Sequence, residues 1–272
     1  MRARIWGCRG SLATPGPSTV RYGGNTSSVE VRTGHDELIV LDAGTGIREL
    51  GRALGANPPA RIHLLLTHLH LDHIEGLGFF APIFDERCTI TIWGPRQEDG
   101  TLRDRIVAYL SPPLFPLRFE QLPSQIEVNE TWEDAWELAG LRIRSAPVRH
   151  RGPTLGFRLE ENGSALAYVP DNEPALDPDS GLDLASGATV LLHDAQYTTE
   201  EYETRVGWGH TDLASFGGYV RRAGAERTLM FHHDPAHGDG TLERMCDEAT
   251  ERAGRGLELA REGLELALDG GA

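Results

Sequence analysis

The 272-residue chain contains no lysine: all 26 of its basic residues are arginine. Schiff-base chemistry and the phosphate-binding lysine of a P-loop are therefore excluded. Cysteine is scarce, with Cys8, Cys88 and Cys246 widely spaced, odd in number and without a Cys-x-x-Cys pair. Neither a disulfide framework nor a zinc ribbon is implied, and free thiols packed in the core are expected instead. No run approaches the ~20 apolar residues that span a bilayer, and the opening MRARIWGCRG lacks the apolar stretch of a secretory signal, so a cytoplasmic chain with no membrane partner is expected. Gly-x-Ser-x-Gly is absent, which removes the common serine-hydrolase elbow. Positive charge is also in deficit: 26 basic against 41 acidic residues leave a net charge of −15. Such a surface repels polyanions, so nucleic acid is an unfavoured partner.

The sequence is otherwise that of an ordinary globular protein, 39% hydrophobic and 25% charged. No repeat, charge block or Gly/Ser linker divides it, and a single domain over residues 1–272 is expected. Short apolar strands are predicted at about 2–7, 26–33, 37–42 and 61–66, the last apolar enough to be buried on both faces. Further strands are predicted near 125–129, 141–147, 154–160, 164–169, 188–192 and 228–231, helices at 211–223 and 240–254, and an alternating tail at 264–268. Residues 95–124 contain Ser111-Pro-Pro-Leu-Phe-Pro, and these prolines predict a surface excursion rather than a central strand. Tyr109, Phe115 and Phe119 in that excursion are available either to stack on a base or to latch onto the domain's own surface.

Histidine is the informative residue. Of 11 histidines, His68, His70 and His73 fall with Asp72 within six positions directly after the apolar strand. Three imidazoles and a carboxylate at one strand end suit zinc, manganese or ferrous iron better than calcium. Thr67-His68-Leu-His70-Leu-Asp72-His73 resembles the HxHxDH motif of the metallo-β-lactamase superfamily. Asp42-Ala-Gly-Thr-Gly resembles the strand-end aspartate preceding that motif, and Gly7–Ser11 with Gly23–Ser27 resembles the opening of its ribonuclease Z and phosphodiesterase branch. The resemblance spans nearly the whole chain. It implies an α/β fold, a four-layer αββα sandwich with two metals at one edge.

By the same resemblance, His68, His70 and His150 hold one divalent ion and Asp72, His73 and His232 the other, with Asp171 bridging them. Phe231 is followed by two histidines, and the first, His232, matches the family placement better than His233. His35, His63 and His237 fit no ligand position. The ions are expected to be zinc or manganese, with iron also compatible. Two cations about 3.5–4 Å apart can share a water and lower its pKa, so a bridging hydroxide is the expected nucleophile.

Leu191-Leu-His193-Asp194-Ala-Gln196 resembles the HEAT motif of ribonuclease Z, with Asp194 in place of glutamate, and Gly209-His210-Thr211 resembles its HST motif. The resemblance implies that Asp194 orients His210 and that His210 contacts the scissile phosphate; Asp72 is counted with both the ligands and the catalytic groups. His193 is expected to be a buried hydrogen-bonding residue. Arg149 and Arg151 flank His150 and suffice for one phosphate, not a track of them. The expected function is thus binuclear hydrolysis of a small phosphodiester, such as a cyclic nucleotide or nucleotide diester. Alternatives are hydrolysis of a lactone or thioester, endoribonuclease action of the ribonuclease Z type, or a weakly catalytic ligand-responsive binding module. A homodimer is left open.

Overall fold

The computed structural model describes residues 1–34 and 37–268; His35 lies outside the described residues. Two seven-stranded sheets face each other. The first is built from β1 (Arg2–Gly7), β2 (Ser28–Arg32), β3 (Leu38–Leu41), β4 (Arg61–Leu65), β5 (Thr89–Pro95) and β6 (Gln125–Thr131). The second takes β7 (Ala135–Leu138), β8 (Leu141–Pro147), β9 (Leu155–Glu161), β10 (Ser164–Val169), β11 (Val190–Asp194), β12 (Arg227–Phe231) and β13 (Glu258–Leu259). The tail strand β14 (Glu265–Ala267) returns to pair antiparallel with β1 and completes the first sheet.

Each sheet is mixed, and the site owes its position to this. β3, β4, β5 and β6 run parallel, as do β10, β11, β12 and β13, so their carboxyl ends collect on one edge of the sandwich. Strands covered on both faces carry apolar residues at successive positions. In β3, Ile39 and Leu41 enter the layer between the sheets, while Leu38 and Val40 enter the outer layer. The edge strand β6 alternates, with Glu127 exposed beside half-buried Ile126 and Val128.

Helices cover both outer faces. Ile47 and Leu50 of α1 (Gly46–Leu54) pack on the first sheet, behind the short α2 (Leu71–Ile74). α3 (Leu102–Tyr109) belongs to the segment expected to be a surface excursion. The segment lies outside the first sheet, but Leu102, Ile106, Leu110, Phe119 and Leu122 are buried in its outer core. The Tyr109 hydroxyl donates to Glu75 O at 3.1 Å, and Phe115 lies so close to Gly78 that a Cβ there would meet its ring at 2.7 Å. These aromatics latch the domain onto itself and are not free to stack on a base.

On the second sheet lie α4 (Leu182–Ala185), α6 (Leu213–Ala223) and α7 (Asp239–Ala253), while the short α5 (Thr199–Tyr202) buries no residue. Asp212 caps α6, its carboxylate accepting from Ala214 N at 2.8 Å. That cap assignment releases the preceding His210 for the site. Strands β5 and β7 were not read from the sequence, although β5 carries Thr-Ile-Thr-Ile-Trp; the hairpin β7–β8 turns through Ala139 and Gly140, both at positive φ. Cys8 and Cys88 are buried and Cys246 half-buried, all as free thiols. Among the described residues no helix is long and apolar enough to cross a membrane.

Candidate metal centre

Four loops leaving strand ends and one turn between helices deliver the predicted residues to one place. The loop after β4 supplies His68, His70, Asp72 and His73; those after β8, β10 and β12 supply His150, Asp171 and His232; and His210 comes from the turn before α6. His68, His70 and His150 converge as one potential metal-binding group, and Asp72, His73 and His232 as another. Asp171 lies between them, with Oδ2 3.1 Å from His73 Nε2 and Oδ1 3.4 Å from His232 Nε2 and 3.7 Å from His150 Nε2.

The outer nitrogens of several rings are occupied, which aims the inner ones. His73 Nδ1 lies 2.8 Å from Asp42 Oδ2, His150 Nδ1 2.7 Å from Gly209 O, and His232 Nδ1 2.8 Å from Gln196 Oε1. Each ring therefore donates from Nδ1 and turns its Nε2 inward. Asp42 is itself fixed: it sits at φ +59° and accepts from Thr67 N at 2.7 Å and from the Tyr168 hydroxyl at 2.8 Å. His233 turns away and donates from Nε2 to Ala260 O at 2.9 Å, so His232 alone of that pair faces the cluster. Gly10 leaves room for the His232 ring, since a Cβ there would lie 2.3 Å from its Nδ1.

The arrangement fits a cation. Buried His68 Nε2 and Asp171 Oδ2 have no hydrogen-bond partner, and such orphans are costly unless something else satisfies them. His150 Nε2 stands 3.1 Å from His70 Nδ1, and His73 Nε2 3.2 Å from His232 Nε2. Nitrogens of this kind converge on a common electrophile. Burial holds the His68 pKa well below its ordinary value and lowers that of His150 to about 4, so both rings are neutral at pH 7 and free to offer a lone pair. Around His73, burial is outweighed by Asp72, Asp171 and Asp42, and its pKa rises. Asp171 shows the converse: burial opposes its charge, but His232 and His73 keep it ionised.

His210 stands beside the cluster with Nδ1 3.0 Å from Asp194 Oδ2 and 3.6 Å from Asp171 Oδ1. The shorter aspartate thus reaches the histidine directly. Burial raises the Asp194 pKa, and His210 offsets part of the rise. His193 is fully buried, its Nδ1 2.7 Å from Asp194 O. His63 binds Glu37 at 2.8 Å and His237 binds Glu201 at 2.9 Å, so neither enters the cluster.

A cavity of about 290 Å³ opens onto the cluster between Ser11, Leu71, Asp171 and His210. A second hollow, about 600 Å³, shares His150 and extends to Pro153, Trp132 and Arg96. Arg96 is exposed and makes no ion pair among the described residues, whereas Arg151 is tied to Gly207 O at 2.8 Å. Sequence reasoning named neither Trp132 nor Arg96. It also assigned no role to Gln196 or to Glu173, a buried carboxylate two positions after Asp171.

Fold and site together define a metallo-β-lactamase-fold hydrolase. The chain belongs to the beta-lactamase superfamily domain family, whose model matches residues 38–233. Among curated relatives, ribonuclease Z of Mycobacterium bovis (strain BCG / Pasteur 1173P2) is 31% identical over 265 residues, covering 89% of this chain and 91% of the relative. Ribonuclease Z of Mycobacterium tuberculosis (strain ATCC 25618 / H37Rv) is 30% identical over 255 residues, covering 89% and 90%. Among solved structures, the metallo-beta-lactamase fold protein YhfI of Bacillus subtilis superposes with TM-score 0.72 at 17% identity, covering 98% of this chain and 99% of the other. A diphosphatase of the PhnP family superposes with TM-score 0.71 at 20% identity, covering 98% of each chain. These structures share the fold.

Proposed function

We propose that the chain hydrolyses a phosphodiester bond of a small substrate, using two divalent cations. The observation that carries this reading is the His210–Asp194 pair set beside the metal-binding cluster, the pair that resembles the HST and HEAT motifs of the ribonuclease Z branch. His68, His70 and His150 would hold one ion, and Asp72, His73 and His232 the other, with Asp171 between them. Zinc or manganese suits this donor set, and iron is compatible with it. Ions held there supply Lewis-acid polarisation of the phosphoryl group and a nucleophile at neutral pH.

The chain's own residues do the remaining work. Asp194 orients His210 through Nδ1, so that Nε2 is the ring atom left for substrate. Charge grows on the leaving alkoxide as the ester bond breaks, and a proton delivered there by His210 stabilises it. Leu71 and Ser11 bound the cavity, while the hollow beside His150 offers Trp132 and Arg96 to the second ester arm.

Small diesters are favoured by the net charge of −15 and by an excursion that packs on the domain itself instead of gripping a partner. The second reading is cleavage of RNA, and the relatives named ribonuclease Z favour it. Hydrolysis assays of metal-loaded protein on a cyclic nucleotide, bis(p-nitrophenyl) phosphate, a phosphomonoester, a lactone and a structured RNA separate the readings. Turnover of the diesters alone supports the proposal. Activity confined to the RNA, or to the lactone, overturns it.

A further inference from the structure

We infer that Glu173 is a positioning residue that sets His150 and His210 together, by gathering the backbone of the turn Gly207-Trp208-Gly209. The inference rests on the reading that both histidines serve the site. Glu173 is 1% exposed and pairs with no cation among the described residues. Its carboxylate instead accepts from Gly207 N at 2.6 Å, from the Tyr202 hydroxyl at 2.7 Å and from Gly209 N at 2.9 Å. Its own N–H donates to Arg149 O at 2.9 Å. Backbone and side chain of this one residue thus tie the segment after Asp171 to the segment before His150 and to the turn before His210.

The turn needs such an anchor. Gly207 and Gly209 have φ values of +81° and +93°, and Trp208 between them is 53% exposed, so little apolar burial holds the turn in place. Backbone N–H groups in such a turn form a concave nest for an anion, and Glu173 fills it from inside the protein. Gly209 then acts in both directions. Its N–H is held by Glu173, and its carbonyl accepts from His150 Nδ1 at 2.7 Å. The contact is too close for any other residue, because a Cβ on Gly209 would lie 2.2 Å from His150 Nδ1. The next residue is His210. Burying a carboxylate is costly, and packing alone would be served as well by an apolar side chain, so the charge marks a demand for position.

The test compares Glu173→Ala and Glu173→Gln with wild type as zinc-loaded holoenzymes. Four readouts are taken: amide hydrogen exchange over 205–210, zinc per chain, kcat and KM on bis(p-nitrophenyl) phosphate, and melting temperature. In Glu173→Ala, exchange at Gly207 and Gly209 accelerates at least tenfold and zinc falls below the wild-type ratio. Its kcat drops about 30- to 100-fold, the scale of a roughly 1 Å misplacement, with KM within about twofold. Glu173→Gln, whose amide oxygen still accepts, lies between the two. Unchanged exchange and zinc overturn the inference, as does a loss of melting temperature with kcat intact. If the alanine variant fails to fold, Glu173→Gln and Tyr202→Phe decide by the same readouts. If wild type cleaves no diester, the functional proposal fails, while exchange and zinc still judge the anchor.

Discussion

Asp194 stands where the ribonuclease Z branch carries a glutamate, one methylene shorter, and the structure absorbs the difference by bringing its carboxylate to 3.0 Å from His210. His210→Ala is therefore expected to lower diester turnover by about 100-fold or more while zinc per chain stays unchanged, measured by steady-state kinetics with elemental analysis. Loss of zinc would instead make His210 a ligand. Asp171→Ala should remove both ions' shared carboxylate and with it essentially all activity, with far-UV circular dichroism preserved; full activity with one tightly held ion defeats the binuclear reading. Local spacing alone made one group of residues legible, while His150, Asp171, Asp194, His210 and His232 were reached through the family resemblance. His68, His70, Asp72 and His73 occupy one strand end, and no long-range packing is needed to bring them together. Glu173 and Gln196 act through a backbone turn and a ring nitrogen from distant segments, and single-sequence spacing carries no trace of such partners.

Helices and strands show the same division between local and distant information. The strands over 2–7, 141–147 and 164–169 match their predicted bounds because alternation in the first two and a continuous apolar run in the third need no partner to be recognised. The prolines of segment 95–124 mark where regular structure breaks, not whether the side chains between them are buried, which is why its aromatics kept two readings. Ile106 is fully buried against the first sheet, so Ile106→Ala should cost about 2–5 kcal/mol, read from denaturant unfolding. Its kcat should stay within about twofold of wild type. A large fall in kcat with stability intact would return α3 to the active site.

For the molecule as a whole, net charge is the quantity that separates the two substrate readings. A single diester held at the cluster releases few counterions, so KM should change less than about threefold between roughly 50 and 200 mM salt. A chain that tracks six phosphates would lose affinity on the order of a thousandfold over that range. Steep salt dependence on RNA therefore favours the ribonuclease reading. Ligand binding to the native state alone raises stability by mass action. Chelation should accordingly lower the melting temperature, and zinc should restore it.

The stacked rings of His73 and His232 have a mechanical consequence. They lie 5.3 Å apart with planes 22° from parallel, yet one follows a strand of the first sheet and the other a strand of the second. The pair therefore works like a vernier, registering any slip of one β-layer over the other. Leu41, Leu65, Phe231 and Tyr168 fill the space between those layers, and their volumes set the alignment. A change of volume in this filling, remote from the cavity, would therefore shift the two rings against each other without altering either histidine.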